Sequence, residues 1–290
     1  MTRYLVLGGS GIVWAVMMFT LVRREVVPYF DYQTPPSYRD VLRDLRLAEL
    51  TKGEIQAAGM PVGRIETMSE RIPDGTVRIR TWADMNARIL GTGKQATDNV
   101  PIKLKSESVV DALYRLSSLW SEIDVGFGVA TVDGVREGDF LNVKFSLGTG
   151  KKTFGAVSQK VEVPKEGMMG DLFQPFSGGG SLFVGKKWKI PTMTADVTGA
   201  RLSWLYASVT DREEILWRDE KVQTMRVEIR TEPTEEKRPT HISWCRSDGI
   251  AVKQQFTFQS LVYEIVFVSR EEQSRGQAIR WGQDRFGPRP

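Results

Sequence analysis

Residues Tyr4 to Val22 read YLVLGGSGIVWAVMMFTLV, without one charge. At about 1.5 Å rise per residue, a helix of that length approaches the ~30 Å hydrocarbon thickness of a bilayer. Arg23 and Arg24 close the run, and no small-x-small cleavage site of a secretory signal follows it. The run therefore predicts an uncleaved, single-pass anchor over residues 1–24, with everything after it in water. Gly8, Gly11 and Ala15 give this helix a stripe of small residues that lets a second helix approach closely. Trp14 falls in the middle of the span, where a protein or ligand neighbour suits an indole better than lipid tails. Arg3 precedes the run and two arginines follow it, so the positive-inside rule alone places the body on the cytoplasmic side.

Composition narrows what that body does. The chain of 290 residues has 40 basic and 36 acidic residues, a net +4. That near balance argues against a nucleic-acid-binding polycation and leaves only a mild attraction to anionic lipid. Cys245 is the one cysteine, so no intramolecular disulfide is expected.

Four regions follow from the pattern of apolar residues and turns. Residues 25–53 should form an extended, proline-bearing tether followed by an amphipathic helix. Tyr29, Phe30 and Tyr32 lie beside the membrane end, and Pro35–Pro36 bar a helix there. Ser37 and Asp40 then form a cap, Val41, Leu42, Leu45, Ala48 and Leu50 fall on one helical face, and Gly53 ends it. Residues 54–268 read as a β-rich body of short strands and turns. Val77, Ile79 and Thr81 alternate with Arg78, Arg80 and Trp82 after a Pro73-Asp74-Gly75 turn; Asp133-Gly134 and Gly148 to Gly150 mark further turns. Ser106 to Ser118 has helical spacing but is equally a strand on its length. The fold class expected is mainly β with few helices: an N-terminal transmembrane helix plus an antiparallel half-barrel or sandwich. Residues 269–290 read as a polar C-terminal tail with Trp281 and Phe286 as its only large apolar anchors.

No catalytic signature emerges. His241 and Cys245 lie four residues apart on a predicted strand, about 13 Å at ~3.3 Å per residue, too far for a dyad. Two such ligands cannot complete a zinc site, no calcium-loop rhythm occurs, and Gly148 to Thr153 lacks the G-K-[ST] end of a phosphate loop. No cofactor and no metal are expected. Arg78 and Arg80 beside Trp82 offer a base-stacking surface only in the sense that any half-wet strand does.

The second half carries a recurring pattern. Phe173-Gln174-Pro175-Phe176 and Leu182 to Trp188 are followed by Arg226 to Ile229, His241-Ile242-Ser243-Trp244 and Ser247 to Val252. This resembles the strand–Trp–Asp-Gly–Val hairpin of bacterial envelope domains in the DUF3108-like group. Those domains are similar in turn to lipoprotein-carrier (LolA/LolB-like) half-barrels, in which a curved sheet wraps around helices. The likeness spans roughly Gly167 to Phe267. It implies a bacterial inner membrane and a periplasmic body, against the cytoplasmic side that the arginine count favours.

Two functions fit these readings. One is a non-catalytic accessory subunit that stabilises a larger inner-membrane complex, energy-transducing or otherwise. Its contacts with lipid and with other subunits would be Gly8, Gly11, Trp14, Ala15, Tyr29, Phe30, Tyr32, Trp281 and Phe286. The other is an extracytoplasmic protein that binds lipid or another hydrophobic ligand, with Met168, Met169, Phe173 and Phe176 as an adaptable lid.

Overall fold

The computed structural model describes residues 14–22, 32–33, 37–42, 45–89, 98–149, 152–163, 182–196, 199–234, 238–258 and 261–287. Fourteen strands dominate: β1 Ala48–Ala57, β2 Met60–Arg71, β3 Val77–Ile89, β4 Asp98–Val110, β5 Leu116–Asp124, β6 Val129–Glu137 and β7 Phe140–Thr149. They continue as β8 Lys152–Glu162, β9 Lys187–Asp196, β10 Gly199–Trp217, β11 Glu220–Arg230, β12 His241–Cys245, β13 Ala251–Phe258 and β14 Leu261–Gln273. All belong to one sheet in the order β8-β7-β6-β5-β4-β3-β2-β1-β14-β13-β12-β11-β10-β9. The protein is thus mainly β with few helices, as the sequence predicts.

Two antiparallel meanders, β1–β8 and β9–β14, are sewn together where the first strand meets the last, from Ala48↔Gln273 to Ala57↔Tyr263. The sheet is strongly curved, because β7 and β8 at one edge come back against β10, one strand in from the other edge. Twisted sheets this wide curl for the same reason that barrels close. Gln33 lies along the outer edge of β9, accepting from Lys189 N and donating to Lys187 O, which covers part of that edge.

The alternation of each strand divides an inner from an outer face. Inside, Ile55, Ile65, Met85, Trp188, Val227, Tyr263, Ile265 and Phe267 belong to one apolar cluster. Val77, Ile79, Val110, Leu116, Leu141 and Val161 form a second, and the helix Tyr38–Leu42 buries Tyr38 and Leu42 in it. Between the clusters the buried hydroxyls of Thr67 and Thr81, directly opposite in register, lie 3.2 Å apart. Gly53 sits on β1 where a Cβ would stand 2.9 Å from Ile65 Cγ2, so the bare backbone permits the close packing of β2 and β14.

Several local expectations hold. Ser37 caps the short helix through Asp40. The turns at Gly75 and Gly249 form with positive φ, and Gly185 adopts φ 92° just before the buried Trp188.

Others are corrected. The amphipathic helix ends at Leu42, and Ala48, Leu50 and Gly53 belong to β1, whose pairing on both sides outweighs a helical spacing of apolar residues. Ser106 to Ser118 is strand and turn, shared between β4 and β5. Asp133-Gly134 runs through the middle of β6; a Cβ at Gly134 would meet Leu141 at 3.0 Å, so this glycine serves packing. The C-terminal region is no polar tail: β14 extends to Gln273, and Arg275–Phe286 is a helix with a capping box between Ser274 and Gln277.

Near the N-terminus, residues 14–21 are helical and carry exposed Trp14, Met17, Phe19 and Leu21. Among the described residues no helix is long and apolar enough to cross a membrane. The first part of the expected anchor, with Gly8 and Gly11, lies outside the described residues.

Candidate functional site

At the end of the sheet where β1 turns into β2 and β13 into β14, the two hairpin tips lie side by side, because β1 pairs with β14. The backbone explains why they project. A register shift at Ile55/Gln56 displaces the β1–β2 tip, and β2 starts before β3 can pair with it, at Gly63↔Met85. Pro61, lacking an N–H, falls in that unpaired stretch. Gly63 lets β3 come close, since a Cβ there would stand 2.4 Å from Asp84 O.

Between the tips lies a cavity of about 590 Å³, walled by Ala57, Met60, Pro61, Val62, Leu261 and Tyr263. Ala57, Val62 and Leu261 also pack on the larger interior cluster, so the cavity is continuous with the core. Its chemistry is apolar apart from Asn86 at the rim and Tyr263 at the base. Tyr263 stacks on Phe256 with ring centroids 5.5 Å apart, and its hydroxyl is buried without a hydrogen-bond partner. A buried hydroxyl left unpaired is destabilising, by roughly 1–3 kcal/mol. Tyr263 is itself one of the residues that line the cavity.

The outer face of the same strands is covered by the C-terminal helix. Trp281 Nε1 donates to Glu66 at 2.7 Å, and Arg285 donates to both Glu66 oxygens at 3.1 and 2.8 Å. Arg80 lies over the rings of Trp281 and Phe286 and donates to Glu70 at 2.8 Å. Arg285 and Arg64 both stand over the Trp82 ring, 4.3 and 5.0 Å from its centroid. Burial disfavours the charge on Glu66, yet the hydrogen bonds from Arg285 and Trp281 and the nearby arginine charges outweigh it, holding the carboxyl below its usual range. Gly282 faces this cluster: a Cβ there would collide with the Arg80 guanidinium.

The expected contact residues are accordingly distributed. Trp281 and Phe286 come together with Arg80 and Trp120 inside the chain. Tyr32 packs edge-on to Tyr206 at 5.1 Å, beneath Lys187. Trp14 and Ala15 are exposed on their helix. Gly8, Gly11, Tyr29, Phe30, Met168, Met169, Phe173 and Phe176 lie outside the described residues. Arg78 and Arg80 are engaged with Glu70 on the covered face, and Arg78 also with Glu107.

His241 and Cys245 are both buried on β12. His241 Nε2 lies 3.1 Å from Ser243 Oγ, and burial pushes its pKa down to about 4, so the ring is neutral near pH 7. With His241 and Ser243 both sealed in the sheet, that pair has no path to a substrate. Among the described residues no cluster of three or more His, Cys, Asp or Glu is placed to hold a metal.

Sequence reasoning missed the Tyr263 cavity. Its two walls come from the beginning and end of the body, and only the β1–β14 pairing makes them neighbours.

The fold defines a mainly-β body built on a single, strongly curved antiparallel sheet. No family model matches the chain, and no curated protein matches it. Among solved structures it is similar to the crystal structure of a beta-barrel-like protein of domain of unknown function DUF1849 from Brucella abortus. That similarity has a TM-score of 0.46 at 9% sequence identity and covers 79% of this chain and 98% of that one. The narrower DUF3108-like and lipoprotein-carrier resemblance rests on its sequence motifs alone.

Proposed function

We propose that this chain is a non-catalytic, membrane-tethered protein whose β body holds an apolar ligand, such as an acyl chain, at the open end of its curved sheet. The cavity of about 590 Å³ beside the unpaired Tyr263 hydroxyl carries this reading. Its size lies in the ordinary range for small-molecule sites, and its mix of apolar wall and one polar group is what such sites use to orient a guest. The uncharged run Tyr4 to Val22 supports the tether, and the envelope-domain resemblance supports a periplasmic body at a bacterial inner membrane.

The test is extraction of the full chain, purified from membranes in mild detergent, followed by mass spectrometry of the organic phase. A reproducible acyl species that disappears in Leu261→Trp, which fills the cavity, is the expected result. Equal recovery from both proteins would sink the reading.

A second reading, the accessory subunit, draws on the helix at 14–21. Trp14 is 62% and Phe19 67% exposed, on a helix whose one polar side chain, Thr20, donates back to Val16 O. Such a surface calls for lipid or a neighbouring helix. Pull-down of the full chain would return partners in fixed ratio under this reading, and none under the first.

A further inference from the structure

A second cavity lies at the opposite end of the sheet. β10 and β11 run past the short β12, and their overhanging tip reaches β14, where Trp217 Nε1 donates to Phe267 O at 2.7 Å. Together with the β12–β13 turn, this tip encloses about 290 Å³. The floor is apolar, built from Val252, Phe267 and the Trp217 ring. The rim carries Arg218, Arg246 and Arg270, and no acidic side chain lines it.

Three observations single out this place. Arg246 is held by Asp248 at 2.9 Å and Arg270 by Glu49, so their charges are compensated. Arg218 has no carboxylate partner among the described residues; its guanidinium lies over Trp217, 4.5 Å from the ring centre. Stacking fixes the guanidinium plane and leaves its N–H edge free for an oxyanion. Second, Arg218 and Asp219 occupy the tip with φ 51° and 63°, a conformation that favours glycine or asparagine. A bulky residue held there points to a role for its side chain. Third, Ser269 is among the residues that line the cavity, and its Oγ is buried without a hydrogen-bond partner.

We propose that this cavity is a binding site for a singly charged oxyanion carried on an apolar body, a carboxylate or phosphodiester. Arg218 would grip the anion, Ser269 would donate to it, and Phe267 and Val252 would receive the apolar part. One uncompensated arginine matches one negative charge. The class includes a free fatty acid and an anionic phospholipid headgroup with the start of its chains. The site is separate from the Tyr263 cavity and does not depend on the function proposed there.

Titration calorimetry on the detergent-solubilised full chain tests this, with octanoate as the free acid and 1-octanol as its neutral counterpart. Micelles doped with phosphatidylglycerol serve as the lipid source. Octanoate binding that octanol does not compete away is expected from the free-acid source; saturable uptake of phosphatidylglycerol over phosphatidylcholine is expected from the lipid source. Either is expected to weaken at least tenfold in Arg218→Gly and several-fold in Ser269→Ala. Both variants should fold, since glycine relieves the positive φ and alanine removes an unpaired hydroxyl. Leu261→Trp, which fills the other cavity, should remove any octanoate bound there and leave the component that Arg218→Gly abolishes in place. Absence of binding from both sources, or affinities unaltered in folded Arg218→Gly, would overturn the proposal.

Discussion

Glu66 and Tyr263 flank the same strand, β1, from opposite sides, and the sheet treats their polar atoms in opposite ways. On the outer face, Glu66 accepts from Trp281 and twice from Arg285. Farther round that face the arrangement recurs: Glu213 accepts from Trp244 at 2.6 Å and from Arg226 at 3.0 Å. On the inner face the Tyr263 hydroxyl has no partner. A carboxylate saturated by an indole and a guanidinium rigidifies what it joins, whereas a buried group without a partner is stable only where the fold over-determines it. The first kind of site closes the structure; the second leaves an interaction for something else to complete.

The sharpest way to break this contrast is Glu66→Ala. It leaves the Trp281 N–H and the Arg285 guanidinium over a strand with nothing to accept from them. Removing one partner of this part-buried pair should cost about 1–3 kcal/mol, since solvent reaches the arginine. The expected result is rapid hydrogen exchange through Arg275–Phe286 while the strands stay protected. Helix amides that remain as slow as in the parent would show that apolar packing of Ala278 and Trp281 on Leu50 and Met68 suffices.

The next effect lies in pH. Folded His241 has a pKa of about 4 against an ordinary 6.5, because burial disfavours its charge. Between those values the unfolded chain binds the extra proton, so stability is fully present above pH 6.5 and falls as the pH drops toward 4. Chemical denaturation should show a loss of about 2 kcal/mol between pH 7 and 5. His241→Gln should flatten that limb. The limb due to Glu66, whose pKa is lowered, lies below the ordinary carboxylate value of 4.5 and has the same sign.

What could be read in advance follows the range of the interactions. The turns at Asp74-Gly75 and Asp248-Gly249 and the Ser37–Asp40 cap need only neighbours in sequence, and their side chains announce them. Ala48 and Leu50 continue a helical period from Val41, Leu42 and Leu45, yet they fold as strand because β14, more than 200 positions away, pairs with them. The C-terminal helix escaped notice because it is mostly polar, with apolar weight confined to Ala278, Ile279, Trp281 and Phe286. Its docking partners, Glu66 and Arg80, look in sequence like the wet positions of an ordinary strand. Both cavities are likewise products of distant pairing.

The smallest effect tests the inner face most directly. Tyr263→Phe deletes one oxygen that has no hydrogen-bond partner and keeps the ring that stacks on Phe256. Stability should rise by about 1 kcal/mol, the low end of the penalty for an unpaired buried hydroxyl, because that group is removed and the ring is kept. Binding should separate two probes. A fatty methyl ester, which offers a carbonyl to the hydroxyl, should lose roughly threefold to tenfold in affinity, the net worth of one hydrogen bond. A hydrocarbon of the same length should bind equally to both proteins. If ester and hydrocarbon respond alike, the hydroxyl is not the group that orients a guest, and the contrast between the two faces reduces to packing.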